Sequence, residues 1–141
     1  PNMTVIAPCD EIEARKATVL SLEINGPVYI RLAREATPVI TSDTTPFKIG
    51  KAINIFHSKN KDGNTDVAIL STGSLLYEAI SAGKRLSDEG IGVLIQHHAT
   101  IKPLDTSAVL NASKIAKKII TVEEHQITHR GSNGFGSTGI D

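Results

Sequence analysis

Five short clusters in this sequence carry side chains that could do chemistry: Cys9-Asp10, Arg34-Glu35, Ser71-Thr72-Gly73-Ser74, His97-His98 and Glu123-Glu124-His125. Arg34 follows an apolar stretch, and a guanidinium there could hold a phosphate through two parallel hydrogen bonds. The competing reading is a surface ion pair with Glu35, which contributes little. The hydroxyls and backbone N–H groups of Ser71 to Ser74 open a helical pattern, so they offer either an anion site or an N-cap after a tight turn. The Gly-Lys-Ser/Thr of a P-loop is absent. His97 and His98 are adjacent, face opposite sides of an extended strand, and cannot share one metal ion; surface histidines are the expectation. His125 and His129 have metal-like spacing only on a helix, and Gly131 opposes one. Glu123 and Glu124 could share a proton or a metal, but as neighbours on a strand they point apart and suit a capping role better. Cys9 has no histidine near it in sequence, and a small buried core residue is the expectation for it. Gly134-Phe135-Gly136-Ser137-Thr138-Gly139 matches a dinucleotide fingerprint in letters but lacks the helix and the ribose-binding acid that must follow. No metal site is expected.

The elements that must position these groups alternate. Thr4 to Ala7 reads as a short strand stopped by Pro8, and Asp10 with Glu13 forms the spacing of a capping box. The helix it opens is expected to run to about Asn25, where Gly26-Pro27 ends it. Val28 to Leu32 is the next strand, which makes a right-handed βαβ unit on a parallel sheet. Residues 36–50 are rich in Thr, Ser and Pro and read as a linker. Beyond them, Ala52 to Phe56 alternates like a half-buried strand, and Val67 to Leu70 is a continuous apolar run, as in a central strand. Leu75 to Leu86 repeats at helical spacing and Ile91 to Ile95 is a strand. Ile101 to Asp105 is a corner, a shorter helix covers about Thr106 to Lys117, and Ile119 to Val122 is a further strand. The fold class is therefore α/β, with helices flanking a mostly parallel sheet.

Composition limits the function. Lys plus Arg and Asp plus Glu both number 15, so no basic excess supports nucleic-acid binding, and self-association meets little charge repulsion. A single cysteine allows no internal disulfide and fits a reducing, cytoplasmic setting. No apolar run reaches the roughly 20 residues of a membrane span. The chain opens within an apolar run at Thr4, as expected of a segment entered partway through a domain.

Several stretches together resemble the transketolase family. Pro1-Asn2-Met3-Thr4-Val5-Ile6-Ala7-Pro8-Cys9-Asp10 and Gly26-Pro27-Val28-Tyr29-Ile30-Arg31-Leu32-Ala33-Arg34 are similar to the late part of its pyrimidine-binding domain. Phe47-Lys48-Ile49-Gly50-Lys51-Ala52 resembles the linker into its C-terminal domain. Ala68 to Ser74, Thr100-Ile101-Lys102-Pro103-Leu104-Asp105 and Thr121-Val122-Glu123-Glu124-His125 follow in order, so the resemblance runs from Pro1 to about Thr128. It points to the separate C-terminal subunits of split transketolases, with deoxyxylulose-phosphate synthase as a neighbouring family.

The resemblance implies residues 1–35 as a remnant of the pyrimidine-binding domain, 36–50 as linker and 51–141 as a C-terminal domain, incomplete at its end. It implies a mostly parallel sheet with one antiparallel strand. It implies an enzyme that moves a two-carbon ketol unit between sugar phosphates, using thiamine diphosphate and a divalent metal, neither of which binds to this chain alone. Arg34 matches the family's substrate-phosphate arginine. The implied partners are a second copy, an N-terminal transketolase subunit, or both, and the isolated chain is expected to be inactive. Past Thr128 the glycine-rich tail departs from the family pattern. The alternatives are a non-enzymatic dimerisation or regulatory module of the same fold, or part of a 1-deoxyxylulose-5-phosphate synthase.

Overall fold

The computed structural model describes residues 2–34 and 36–124. It contains two sheets. The first begins with β1 (Thr4–Ile6), continues through helix α1 (Glu11–Ser21) to β2 (Val28–Ile30), and pairs β1 with β2 in parallel, Thr4 opposite Val28 and Ile6 opposite Ile30. Asp10 is the N-cap of α1: its backbone is extended and its carboxylate accepts the Glu13 N–H at 2.9 Å. Glu13 reaches back one residue further than a standard capping box and accepts the Cys9 N–H at 2.7 Å. The helix stops at Ser21 rather than Asn25. The next three N–H groups, of Leu22, Glu23 and Ile24, bond three residues back, so the chain tightens into turns before Gly26. The strand expected through Leu32 ends at Ile30.

The second sheet holds β3 (Ile53–His57), β4 (Thr65–Ser71), β5 (Val93–His97) and β7 (Ala116–Val122) in the order β3-β5-β4-β7. β4 is parallel to both neighbours, and β3 alone runs antiparallel, against β5. A 3-10 turn (Gly73–Leu75) leads into α2 (Leu76–Asp88), and α3 (Thr106–Ile115) precedes β7. Central β4 separates two apolar layers. Val67 and Ile69 face Val93, Ile95, Leu76 and Ala79 on the α2 side, while Ala68 and Leu70 face Leu94 and Ala112 on the α3 side. Gly83 lets α2 lie close on the sheet, since a Cβ there would sit 2.5 Å from Ile95 Cδ1.

The sequence reading missed β6 (Thr100–Lys102). It took Ile101 and Lys102 into the corner near Pro103, but with Thr100 they form a strand that pairs antiparallel with β1 and completes the first sheet as β2-β1-β6. Three residues are too few to show alternation, and the partner strand lies far away in sequence. Residues 36–52 contain no helix or strand, yet they are stitched down. The Asp10 carboxylate accepts the Ile40 and Thr41 N–H groups at 2.9 and 2.6 Å, and Lys16 Nζ donates to the Ser42 and Thr45 carbonyls at 2.7 and 2.6 Å. The Gly50 N–H donates to Thr100 Oγ1 at 3.0 Å.

Candidate functional site

The carboxyl ends of the two sheets face each other. The Gly73 N–H, where β4 turns into helix, donates to the Ala7 carbonyl after β1 at 3.2 Å, and the Ala7 N–H donates to the Ala99 carbonyl at 2.7 Å. The Thr72 N–H donates to the Val122 carbonyl of β7 at 3.1 Å. Arg31, just past β2, bonds the Glu124 backbone carbonyl and lies 4.0 Å from Glu124 Oε2, which also accepts Ser74 Oγ at 3.2 Å. Of the strand-end groups singled out in the sequence, Ser74 and Glu124 thus meet in space, joined by Arg31, which the sequence reading did not single out. The capping role expected for the glutamates concerns the residues that follow, which lie outside the described residues.

Arg34 lies on the segment after β2 and is exposed. Among the described residues nothing holds its guanidinium. The backbone on either side of it borders an open cleft of about 370 Å³ whose walls include Pro8, Cys9, Asp10, Leu32 and Ala33. Glu35, its expected ion-pair partner, lies outside the described residues, as do His125, His129 and the glycine-rich tail.

The histidines require a correction. Expected at the surface, His97 and His98 are 1% and 6% exposed. His97 ends the central strand β5 beneath the start of α1, where its Nε2 lies 2.7 Å from Glu13 Oε2. Glu13 is itself 2% exposed. Cys9, Glu13 and His97 form the one group of metal-ligating types among the described residues, with ligand atoms within 4.8 Å of one another. Burial, then the Glu13 carboxylate, pushes the Cys9 thiol well above its ordinary range, so it stays protonated. The Glu13 carboxylate is already taken by the Cys9 N–H and the His97 ring. This buried, partly soft set does not fit the oxygen-rich shell that a magnesium ion bridging phosphates takes.

Ser71 and Thr72 also depart from expectation. Thr72 starts the 3-10 turn without a side-chain capping bond, and Ser71 Oγ and Thr72 Oγ1 are buried without partners. His97 Nδ1 and His98 Nδ1 share that condition. Burial, then the neighbouring His97, lowers the His98 pKa against a weaker pull from Asp105, so its ring is neutral near pH 7.

Asp10 and Asp105 have carboxyls held below the ordinary value. Burial alone would raise Asp10, but the N–H of Glu13, the N–H and hydroxyl of Thr41 and the N–H of Ile40 outweigh it. Asp105, N-cap of α3, falls to about 2 through the Ser107 hydroxyl first, opposed by burial and helped by the Ala52 and Ala108 N–H groups and by Lys51.

Comparison with known proteins adds the family. A family model described as transketolase, C-terminal domain, matches residues 57–137. A subunit of the apulose-4-phosphate transketolase of Phocaeicola vulgatus is 37% identical over 126 residues, covering 89% of this chain and 38% of that protein. A 6-deoxy-6-sulfo-D-fructose transketolase subunit of a Clostridium species is 36% identical over 141 residues, covering 100% of this chain and 41% of the relative. A solved split-gene transketolase, an inactive β4 tetramer, superposes with a TM-score of 0.79 at 33% identity, over 89% of this chain and 40% of that one. The chain spans about two fifths of the length of each of these relatives.

Proposed function

This chain belongs to the transketolase family through its C-terminal domain, and from that membership we propose that it is the C-terminal part of a thiamine-diphosphate-dependent transketolase. In this reading the complete enzyme transfers a two-carbon ketol unit between sugar phosphates. The chain contributes assembly and one substrate contact, Arg34. The observation that carries the reading is the similarity of the chain over most of its length to transketolase subunits, with Arg34 exposed on the segment after β2 and unheld among the described residues. In this reading thiamine diphosphate and its divalent metal are held by other parts of the complete enzyme.

The test is complementation. Mixed with all the parts of a transketolase that this chain does not span, together with thiamine diphosphate and magnesium, the chain supports ketol transfer; alone it does not. Ketol transfer by the isolated chain overturns the reading, and silence after mixing points to a purely assembling or regulatory module. In the active mixture, Arg34→Ala raises KM for phosphorylated acceptors by roughly 10- to 100-fold, the worth of a charge-assisted hydrogen bond. Unphosphorylated acceptors are barely affected. An equal effect on both removes Arg34 from the phosphate.

A further inference from the structure

The corner between α1 and β2 carries the pair Asn25-Gly26. α1 ends at Ser21, the turn after it closes with the Ile24 N–H on the Ser21 carbonyl at 3.2 Å, and β2 begins at Val28. Asn25 and Gly26 lie between these elements, and both are exposed. Gly26 has a φ of +141°, which opposes any side chain, and a Cβ there would lie 3.4 Å from the Asn2 carbonyl oxygen. The corner therefore selects glycine. Among the described residues, nothing accepts the Gly26 N–H and nothing bonds the Asn25 side-chain amide.

The Gly26 nitrogen reaches Asn25 Cγ through a five-membered ring, and glycine has no side chain to obstruct the approach. To close that ring, a backbone nitrogen must first leave any hydrogen bond it makes. Asp62-Gly63 shows the contrast. There the Gly63 N–H is held by the Asn60 carbonyl at 2.9 Å, and the Asp62 N–H by Asn60 Oδ1 at 3.0 Å. The Asn60 amide itself donates to Asp66 Oδ2 at 2.8 Å. Asn54 and Asn111 lie within β3 and α3, where the backbone is fixed.

We propose that Asn25 is a site of spontaneous deamidation, converted to a mixture of aspartate and isoaspartate with water as the co-reactant. The Gly26 nitrogen loses its proton and bonds Asn25 Cγ. The Cγ–Nδ2 bond breaks, and Nδ2 leaves with that proton as ammonia. Water then opens the cyclic imide. Cleavage of the new Cγ–N bond gives aspartate; cleavage of the original peptide C–N bond leaves the chain running through Cγ, one methylene longer. No oxidant or reductant takes part. The Pro27 carbonyl, two residues on, accepts the Thr4 N–H at 2.9 Å where β1 begins to pair with β2, so a lengthened backbone must shift that bond. Either product also places a carboxylate just past α1, whose last turn has no basic residue. The site stands whether or not the chain completes a transketolase.

The test ages the full chain in mildly alkaline buffer beside a synthetic peptide of residues 17–31 as an unstructured reference. Tryptic mapping isolates the same segment, separate from Asn133-Gly134 in the tail. Mass spectrometry reads conversion of amide to acid, and isoaspartyl methyltransferase reads the isoaspartate. Asn25 in the folded chain converts at a rate within about fivefold of the peptide, since not even one neutral hydrogen bond guards the nitrogen. Isoaspartate appears in segment 17–31, and Asn25→Gln abolishes it there. Ageing lowers the melting temperature of the parent by a few degrees more than that of Asn25→Gln. Slower conversion than this in the folded chain, or aspartate formed without isoaspartate, overturns the proposal; equal melting shifts overturn the effect on β2. If Asn25→Gln fails to fold, the comparison of parent and peptide decides alone.

Discussion

Glu13 is the residue on which most of the buried polar chemistry converges. Its carboxylate accepts the Cys9 N–H and lies against the His97 ring, while its own N–H is capped by Asp10. The group joins the first βαβ unit to the end of β5, so it acts as an internal bolt. A metal in its place would need Cys9 as the thiolate, and burial beside a carboxylate opposes that form. The same physics predicts the behaviour of Cys9 toward alkylating reagents. At 2% exposure and with its pKa raised, the folded thiol reacts only through local opening. Iodoacetamide should modify it at least ~100-fold more slowly in the folded chain than in urea, consistent with protection by a buried core position. Rapid labelling of the folded chain would place Cys9 in an exposed, activated environment and remove the bolt.

At the scale of elements, two aspartates do similar work. Asp10 caps α1 and pins residues 40 and 41; Asp105 caps α3 and accepts the Ala52 N–H at 3.2 Å. The Thr-, Ser- and Pro-rich linker is therefore held near both ends by helix caps. Both carboxyls lie below the ordinary 3.8 in the folded chain, Asp105 at about 2. Depressed folded values mean that the stabilisation is present above the unfolded pKa and is lost as pH falls through the folded one. Asp105→Asn should lower stability by about 1–2 kcal/mol at neutral pH, the worth of a cap with its extra bond. Melting curves from pH 6 to 2 should show variant and parent converging toward pH 2; a constant gap would sink the assignment. The helices and central strands were legible because period and capping are local signals: Leu76 to Asp88 repeats at helical spacing, and Val67 to Leu70 is uniformly apolar. Asp10 and Glu13 were legible as a box. Their second roles were not, since Thr41 and His97 reach them only through tertiary folding. His97 and His98 were placed at the surface because sequence alone does not show that β5 ends beneath α1.

At the scale of the whole molecule, the two sheets interlock. β6 follows β5 by two residues, yet it pairs with β1, so the first sheet takes its third strand from the second half of the chain. Ala7 bonds both Ala99 and Gly73, and Glu13 meets His97. On the far edge, β7 carries Lys117 and Lys118 in an exposed strand, charges that discourage open-ended strand pairing. With β1 lying between β2 and β6, the first unit has no complete sheet of its own. Two- and three-residue pairings supply too little burial to persist without the Cys9–Glu13–His97 contact and the β6 ladder. The chain should therefore unfold in urea as one transition. Far-UV circular dichroism, dominated by α2 and the second sheet, and pulse labelling of Cys9, which reports the first unit, should give the same midpoint. Residues 1–50 prepared alone should lack cooperative structure, having lost β6 and His97. Labelling of Cys9 at clearly lower urea than the circular-dichroism midpoint would mean that the first unit opens independently, and β6 would then be a loose contact rather than a joint.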